Sequence, residues 1–203
     1  LKFFIFFLLV FCLFFLINNS LTPKNFIGKI HLEGIINNKN ELIKQLNEIS
    51  QNKNIKGLLV IINSPGGTFV SSREIHDSLE KISTKIPTSA YMKEMATSGA
   101  YLASMGVQKI FANQGTITGS IGVILQTAQL TSLMEKIGVK PIVIKSGELK
   151  ATPNPLEKID EEKIIYLKKI IEQLQKEFIS IVEQKRNLNK TTLGKISSGR
   201  IFT

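Results

Sequence analysis

The sequence predicts an α/β fold with a mainly parallel sheet, and two observations support that prediction. The apolar run 57–62 has the length of a strand but no polar alternation, which is typical of a strand covered on both faces. Short apolar runs also alternate with amphipathic segments between residues 26 and 145. That order is expected when helices pack on the faces of a parallel sheet. The 203 residues are enough for one domain of ordinary size.

The individual elements follow from periodicity and capping. We expect strands at residues 26–32, 57–62, 87–92, 109–112 and 141–145. We expect helices at residues 41–49, 70–82 and 99–105, around 129–136, and from Asp160 onward. Asp160 suits an N-cap, and Glu161 and Glu162 suit the positive first turn of the last helix.

The N-terminus carries an unbroken apolar run, residues 3–17, after Lys2. Fifteen helical residues span about 22 Å, which is less than the ~30 Å hydrocarbon core of a bilayer. We expect residues 1–19 to be an uncleaved transmembrane signal anchor, with a cleaved signal peptide or a buried core helix as alternatives. A polar linker is expected at 18–25, and residues 20–203 are expected to form a single domain that is truncated at its C-terminus.

The charge pattern bears on partners. The net charge is +10, with the basic residues scattered and no interleaving of basic and aromatic residues. We therefore expect no nucleic-acid partner, and either attraction to anionic lipids or a solvated basic surface. Cys12 is the only cysteine and lies in the apolar run, so neither a disulfide within the chain nor a cysteine metal site is expected.

Two turns carry the candidate catalytic residues. Ser98-Gly99 lies between a predicted strand and a predicted helix, where a serine either caps the helix or acts as a nucleophile. The segment 63–67, Asn-Ser-Pro-Gly-Gly, ends a neighbouring strand at the edge where open α/β sheets bind ligands. A glycine N–H from this turn and the Gly99 N–H could hold an oxyanion. Ser64 is a rival nucleophile, although the Pro65 that follows favours a turn role.

A nucleophilic serine needs a base. The two histidines, His31 on a predicted strand and His76 on a predicted helix, lie away from strand ends, and we expect both to be structural. A lysine can replace histidine where burial keeps its amine neutral. Lys150 follows a predicted strand, but it is one of 26 basic residues, so composition alone does not single it out.

Four segments occur in a characteristic order: NSPGG at 63–67, MATSGAYLAS at 95–104, TGSIGV at 118–123 and KSGELK at 145–150. Together they resemble the signal peptide peptidase A family, which comprises membrane-anchored bacterial serine/lysine peptidases of the Clp-protease/crotonase fold. The resemblance runs from about residue 26 to the end. It implies that Ser98 is the nucleophile and Lys150 the general base of a Ser/Lys dyad.

The same resemblance assigns the oxyanion donors to Gly67 and Gly99, with Gly66 as the alternative to Gly67, and a lysine-orienting role to Ser120. It implies hydrolysis of remnant signal peptides and other short hydrophobic peptides through an acyl-enzyme, without a metal or cofactor. It also implies a homo-oligomeric ring with sites shared between protomers, on the extracytoplasmic side of the bacterial inner membrane. A non-catalytic membrane scaffold and a crotonase-type acyl-CoA enzyme are the alternatives.

Overall fold

The computed structural model describes residues 2–21, 25–188 and 190–203. The helices are α1 (Lys2–Leu21), α2 (Asn40–Gln51), α3 (Phe69–Ser83), α4 (Gly99–Ser104), α5 (Thr131–Lys136), α6 (Glu161–Arg186) and α7 (Lys190–Ile196). The strands are β1 (Phe26–Glu33), β2 (Ile55–Ser64), β3 (Thr88–Thr97), β4 (Lys109–Ala112), β5 (Ile117–Gly119) and β6 (Ile201–Phe202). The predicted alternation of strand and helix is confirmed from β1 to β4.

The six strands form one sheet in the order β1-β2-β3-β5-β6, with β4 also paired to β3. The pairs β1–β2, β2–β3, β3–β4 and β3–β5 are parallel, and β5–β6 is antiparallel. The mainly parallel sheet is therefore confirmed. The carboxyl ends of β2, β3 and β5 are level in the sheet, since Ser64 pairs with Ala96 and Thr97 with Gly119, and this places the segments after these three strands side by side.

Two apolar clusters hold the sheet and helices together. The larger one packs α2 and α3 on the sheet, through fully buried side chains such as Leu46, Leu79 and Val60. The smaller one joins α4 to the second half of α6 through Leu102, Met105 and Phe178. The burial of these large aliphatic and aromatic groups fixes α4 between the sheet and α6.

The start of α6 follows the prediction. The Asp160 carboxylate Oδ1 accepts a hydrogen bond from the Lys163 N–H at 2.9 Å. This bond and the Lys163 ammonium group, whose Nζ lies 2.9 Å from Oδ2, favour the ionised carboxylate, so the pKa of Asp160 is lowered. The other end also agrees, since α6 closes at Arg186 with Asn187 in the left-handed conformation.

Strand β3 is longer than predicted. We expected it to end at Met92, but it continues through the exposed Lys93 and Glu94 to Thr97. Its first half pairs with β4 and its second half with β5. The register against β2 shifts between Ile62 and Ser64, and the Asn63 side-chain oxygen there accepts the Met95 N–H at 3.2 Å. Polar residues in mid-strand hid this continuation from the sequence pattern.

The predicted strand at 141–145 is wrong. These residues have no regular secondary structure, and Ile142 and Ile144 are 86% and 95% exposed. No described strand lies beside the segment to accept its backbone hydrogen bonds, so the apolar run alone does not make a strand. It belongs to an extended, largely exposed arm, residues 122–160, which contains α5.

The N-terminal apolar run forms α1, which ends at Leu21 and so includes much of the expected linker. Of the rest of that linker, residues 22–24 lie outside the described residues, and Asn25 directly precedes β1. No helix in the described part of the chain combines the length and the apolar character needed to cross a membrane.

Candidate active site

Ser98 occupies a strained turn between β3 and α4. Its backbone has φ 51° and ψ −122°, a conformation that non-glycine residues rarely adopt. Its N–H donates to the Gly119 carbonyl at 2.8 Å, and its carbonyl accepts the Leu102 N–H at 2.9 Å. The hydroxyl is half-buried and makes no hydrogen bond with any described residue. Such strain at a strand-to-helix serine is typical of a positioned nucleophile.

The turn after β2 packs directly against Ser98 and Gly99. Gly66 has φ 93°, and a Cβ placed there would lie 2.6 Å from the Gly99 nitrogen and 2.7 Å from the Thr97 carbonyl oxygen. The Thr97 hydroxyl donates to the Pro65 carbonyl at 3.0 Å. Glycine is therefore required at 66 by both close approach and backbone conformation.

Ser64 holds this turn from inside. Its fully buried hydroxyl donates to the Gly34 carbonyl at 2.6 Å and accepts the Gly66 N–H at 3.1 Å. It lines neither of the clefts beside Ser98. These contacts match the turn role that Pro65 suggested and leave Ser98 as the serine with a free hydroxyl.

Two backbone amides next to Ser98 lack an acceptor in the described structure. Gly99 is the first residue of α4, so its N–H has no partner within the helix. The Gly67 N–H is free because the bridge to Ile36 uses the Gly66 carbonyl and the Thr68 N–H instead. A Cβ on Gly99 would lie 3.2 Å from the Gly67 nitrogen, so the two residues are in close contact. Since the Gly66 N–H already donates to the Ser64 hydroxyl, the Gly67 N–H, rather than that of Gly66, is available beside the Gly99 N–H as a donor to an oxyanion.

Two clefts meet at Ser98. The first has a volume of about 260 Å³ and is lined by Ser98, Gly67 and Gly99 on one side and by apolar groups such as Leu174 and Phe178 on the other. The second, of about 400 Å³, contains Ser98 and Ser120. The segment 122–124 lines both clefts. An apolar wall beside free amides suits a substrate with a carbonyl group and hydrophobic side chains.

Ser120 lies one residue beyond β5, in the second cleft. Its φ is 53°, and its N–H donates to the Arg200 carbonyl at 2.8 Å. The structure thus brings together Ser98, Gly67, Gly99 and Ser120.

Lys150 is not brought to this group. It lies in an exposed turn of the arm, where its N–H donates to the Gly147 carbonyl at 3.0 Å. Lys150 lines neither cleft, and its ammonium group has no hydrogen bond or ion pair with a described residue. Within one chain the Ser/Lys dyad therefore stays a prediction.

Both histidines lie away from the clefts. His31 is exposed on β1, 3.3 Å from Glu33, whereas His76 is buried on α3 with Nδ1 2.8 Å from the Asp77 carboxylate. Burial would raise the pKa of Asp77, but hydrogen bonds to His76 and Arg73 outweigh it and the pKa is lowered. These contacts place His76 beside the Asp77–Arg73 ion pair of α3 rather than in the site.

Among the described residues, one group of three potential metal ligands is close together: His76, Asp77 and Glu80. None of these three residues lines either of the clefts beside Ser98. Arg73 binds Asp77, and Lys185 lies 3.3 Å from Glu80, so both carboxylates already have cationic partners.

Two supporting residues were missed by the sequence reasoning. Ser72 is fully buried on α3 against Gly99, and its hydroxyl donates to the Thr68 carbonyl at 2.8 Å. Gly119 supplies the carbonyl for the Ser98 N–H, and its own φ is 83°. The consecutive Gly119-Ser120 pair was a visible turn signal, but nothing in the sequence linked Ser72 to Gly99.

The class defined by this fold and site is an α/β protein of Clp-protease type, with a strained serine beside two free amides. A ClpP1 mutant from Listeria monocytogenes superposes with a TM-score of 0.57, over 86% of this chain and 80% of that one, at 17% identity. This likeness concerns the fold alone.

The family is established by sequence. The model for peptidase family S49 matches residues 80–203, more than half of the chain. The chain belongs to peptidase family S49.

Two relatives extend the match towards the N-terminus. A protein of Enterococcus faecium named as the signal peptide peptidase SppA is 36% identical over 166 residues, which are 81% of this chain and 48% of that protein. A protein of Synechocystis sp. named as a protease is 40% identical over 180 residues, 87% of this chain and 64% of that protein. The chain thus spans about half to two thirds of the length of these relatives.

The packing of Gly99 yields a stability prediction. A Cβ at this position would meet the buried Ser72 hydroxyl, so Gly99→Ala should destabilise the protein by about 1–3 kcal/mol, measured by urea unfolding. Adding Ser72→Ala removes the obstructing oxygen and should recover at least half of that loss.

Gly194→Ala is the matched control, because a Cβ there meets no atom within 4 Å, and it should leave stability unchanged or slightly raised. Strictly additive effects of Gly99→Ala and Ser72→Ala would contradict the contact.

Proposed function

We propose that this chain forms a serine peptidase that cleaves peptide bonds through an acyl-enzyme on Ser98. The observation that carries the proposal is the strained Ser98, whose free hydroxyl stands beside the free amides of Gly67 and Gly99. Membership of peptidase family S49 supports the same chemistry.

The proposed reaction has two halves. The unprotonated Lys150 amine takes the Ser98 proton, and Oγ attacks the scissile carbonyl to form a tetrahedral intermediate. The Gly67 and Gly99 N–H groups donate to its oxyanion. The protonated Lys150 then gives its proton to the nitrogen of the scissile bond. The C–N bond breaks, the amine product leaves, and the acyl group stays on Ser98. In the second half Lys150 deprotonates a water molecule, which attacks the acyl carbonyl. The ester C–O bond then breaks, and the Ser98 oxygen takes the proton back from Lys150, which restores both groups.

Lys150 lines neither cleft beside Ser98 in its own chain, and we propose a second copy of the chain as the source of the base. The arm 122–160 presents apolar side chains to solvent, including Ile124 at 86% exposure, Ile142 and Ile144. Exposed apolar area on this scale favours burial against a partner. In the proposed homo-oligomeric ring each arm packs on its neighbour and delivers Lys150 to the neighbour's Ser98, with Ser120 orienting the amine.

For the substrate we propose short hydrophobic peptides, including remnant signal peptides. The support is the apolar part of the cleft lining, Phe69, Leu102, Leu174 and Phe178, in the same cleft as Ser98. The relative from Enterococcus faecium named as a signal peptide peptidase supports the same substrate class.

We also propose that α1 associates the domain with the bacterial inner membrane, with residues 20–203 on the extracytoplasmic side. The support is the row of large apolar side chains between Phe3 and Phe15, which are exposed in the structure. Exposed phenylalanine and leucine on this scale are costly in water and favoured in lipid.

The separation of Lys150 from Ser98 within one chain is also what a non-catalytic membrane scaffold would show. Ser98→Ala separates the two functions. We expect Ser98→Ala to lower the peptidase rate on a hydrophobic fluorogenic peptide by at least about a thousandfold, because the nucleophile is lost. A fluorophosphonate should label Ser98 in the unmodified protein, as mapped by mass spectrometry.

The matched control is Ser197→Ala, a serine of the second cleft, which should keep both rate and label. Unchanged hydrolysis by Ser98→Ala would contradict the nucleophile, and a protein without rate or label would favour the scaffold.

Mixing inactive variants tests the shared dyad. Chains with Ser98→Ala and chains with Lys150→Ala should each be inactive alone. Co-refolded in equal amounts, they should recover about a quarter of the unmodified rate, since a site then combines Ser98 from one copy with Lys150 from another.

A dyad within one chain would give no recovery after mixing. Lys140→Ala serves as the control for a lysine of the same exposed arm, and it should leave the rate unchanged.

Deletion of residues 1–19 tests the role of α1. We expect the full chain to sediment with membranes and to resist extraction by 0.5 M NaCl, because apolar contacts are insensitive to ionic screening. The deleted chain should move largely to the salt-extracted fraction, as measured by immunoblotting. Equal retention of both chains after the salt wash would contradict the proposal.

A further inference from the structure

The charge of the chain is unevenly placed on the sheet. All four parallel strands β1 to β4 begin at one edge, opposite the edge that holds Ser98. The segments at that amino-terminal edge, residues 49–57, 81–88 and 106–109, contain five lysines and no aspartate or glutamate. We call this surface the basic edge, and its lysines are Lys53, Lys56, Lys81, Lys85 and Lys109.

These lysines are exposed, and none forms an ion pair with a described residue. Lys53, Lys56 and Lys85 line an open cleft of about 520 Å³ between the ends of α2 and α3. Lys85 alone has a local role, since its Nζ donates to the Ser50 hydroxyl at 3.1 Å. The nearest carboxylates in sequence are Glu48 and Glu80, and Glu80 is paired with Lys185.

The opposite edge is electrically balanced. Its segments 33–39 and 93–98 carry two glutamates, Glu33 and Glu94, and two lysines, Lys39 and Lys93. Scattered basic residues alone would not produce this contrast. Because adjacent strands lie about 4.8 Å apart, the four strand starts span only ~15 Å. This span is comparable to the Debye length of about 10 Å at 0.1 M salt, so neighbouring charges along the edge are only partly screened from one another.

The apolar helix joins the domain at this same edge. The Phe26 N–H donates to the Asn54 carbonyl at 3.0 Å, and this places the start of β1 beside the basic edge. Four residue steps separate Leu21 from Asn25, and a fully extended chain covers at most about 14 Å over that distance. The end of α1 is therefore close to the lysines.

We propose that the basic edge is a docking surface for an anionic phospholipid bilayer and that it turns the Ser98 edge away from the lipid. The occupant follows from charge complementarity and from continuity with α1: lysines beside an apolar helix meet phosphate head groups where that helix enters the lipid. The inference rests on the proposed membrane association of α1, and the experiments distinguish a failure of the basic edge from a failure of that association.

The first experiment measures vesicle binding by the full chain. The vesicles contain either phosphatidylcholine alone or phosphatidylcholine with 30% phosphatidylglycerol. The edge variant replaces Lys53, Lys56, Lys81 and Lys109 by Gln and keeps Lys85. The control variant replaces Lys140, Lys168, Lys169 and Lys176, which are equally exposed on the arm and α6. Each variant removes four of the ten net positive charges, so the net charge falls from +10 to +6 in both.

The edge variant should bind the anionic vesicles at least tenfold more weakly at 50 mM NaCl, since each lysine at an anionic surface contributes about fivefold. The control variant should lose less than threefold, and all three proteins should bind neutral vesicles alike. Equal losses in both variants, or none in the edge variant, would overturn the proposal. Absent binding to neutral vesicles would instead contradict the role of α1, while leaving the basic edge supported.

The second experiment measures orientation. In a Cys12→Ser background, a fluorophore is attached at Gln51→Cys on the basic edge or at Asn37→Cys on the opposite edge. Lipids with a spin label in the head group should quench the first fluorophore at least threefold more than the second. Equal or reversed quenching would contradict the orientation, and circular dichroism of each variant controls for folding.

Discussion

The hydrogen bond from the Ser98 amide to the Gly119 carbonyl oxygen, 2.8 Å long, is the contact on which the site depends. A serine with positive φ costs of the order of 1–3 kcal/mol and persists only where its surroundings determine it from several sides. Here the Thr97 hydroxyl is tied to Pro65, and Thr118 donates to the Ala96 carbonyl at 2.9 Å. Three strand ends thus meet in one hydrogen-bonded layer, and the strain at Ser98 is sustained by the sheet rather than by the helix that follows.

Strand β3 makes this layer because it changes partners half-way. Up to Met92 it pairs with β4, and beyond Met95 it pairs with β5. Between these halves Lys93 and Glu94 face solvent, and the Asn63 side chain replaces a missing backbone acceptor on the β2 side. The switch carries the strand past the end of β4, so its last residue lies level with the Gly66-Gly67 turn. A strand that ended at Met92 would leave Ser98 without that support.

The parts of the fold that periodicity predicted are those whose stability is local or comes from the core. The runs of β1 and β2 and the faces of α2, α3 and α6 each bury apolar residues, so their patterns are visible in the sequence without knowledge of a neighbour. Turn signals in the sequence indicated that Ser98, Gly99 and one glycine of the segment 63–67 lie at strand ends, whereas the roles of Ser98, Gly67 and Ser120 were implied only by the family resemblance and stay predictions. The run at 141–145 misled because strand formation needs a hydrogen-bonding partner, and Ile142 and Ile144 find none in the described chain. Ser72 escaped because its packing against Gly99 depends on how α3 and α4 cross.

The division between a fixed nucleophile and an exposed arm has a consequence for control of the proposed chemistry. Ser98 and Gly99 are held by the sheet and by their contact with Gly67, and in the proposed reaction these three residues would bind the carbonyl group in that arrangement. Lys150 lies in an exposed turn where its ammonium group has no partner among the described residues, on an arm whose isoleucines face water. If the base arrives only when a neighbouring copy buries that arm, a lone chain is a peptidase without a proton acceptor. The apolar area that makes the arm unfavourable in water is then the same area that drives assembly. Hydrolysis would therefore depend on local concentration, which attachment to a surface raises by confining the chains to two dimensions.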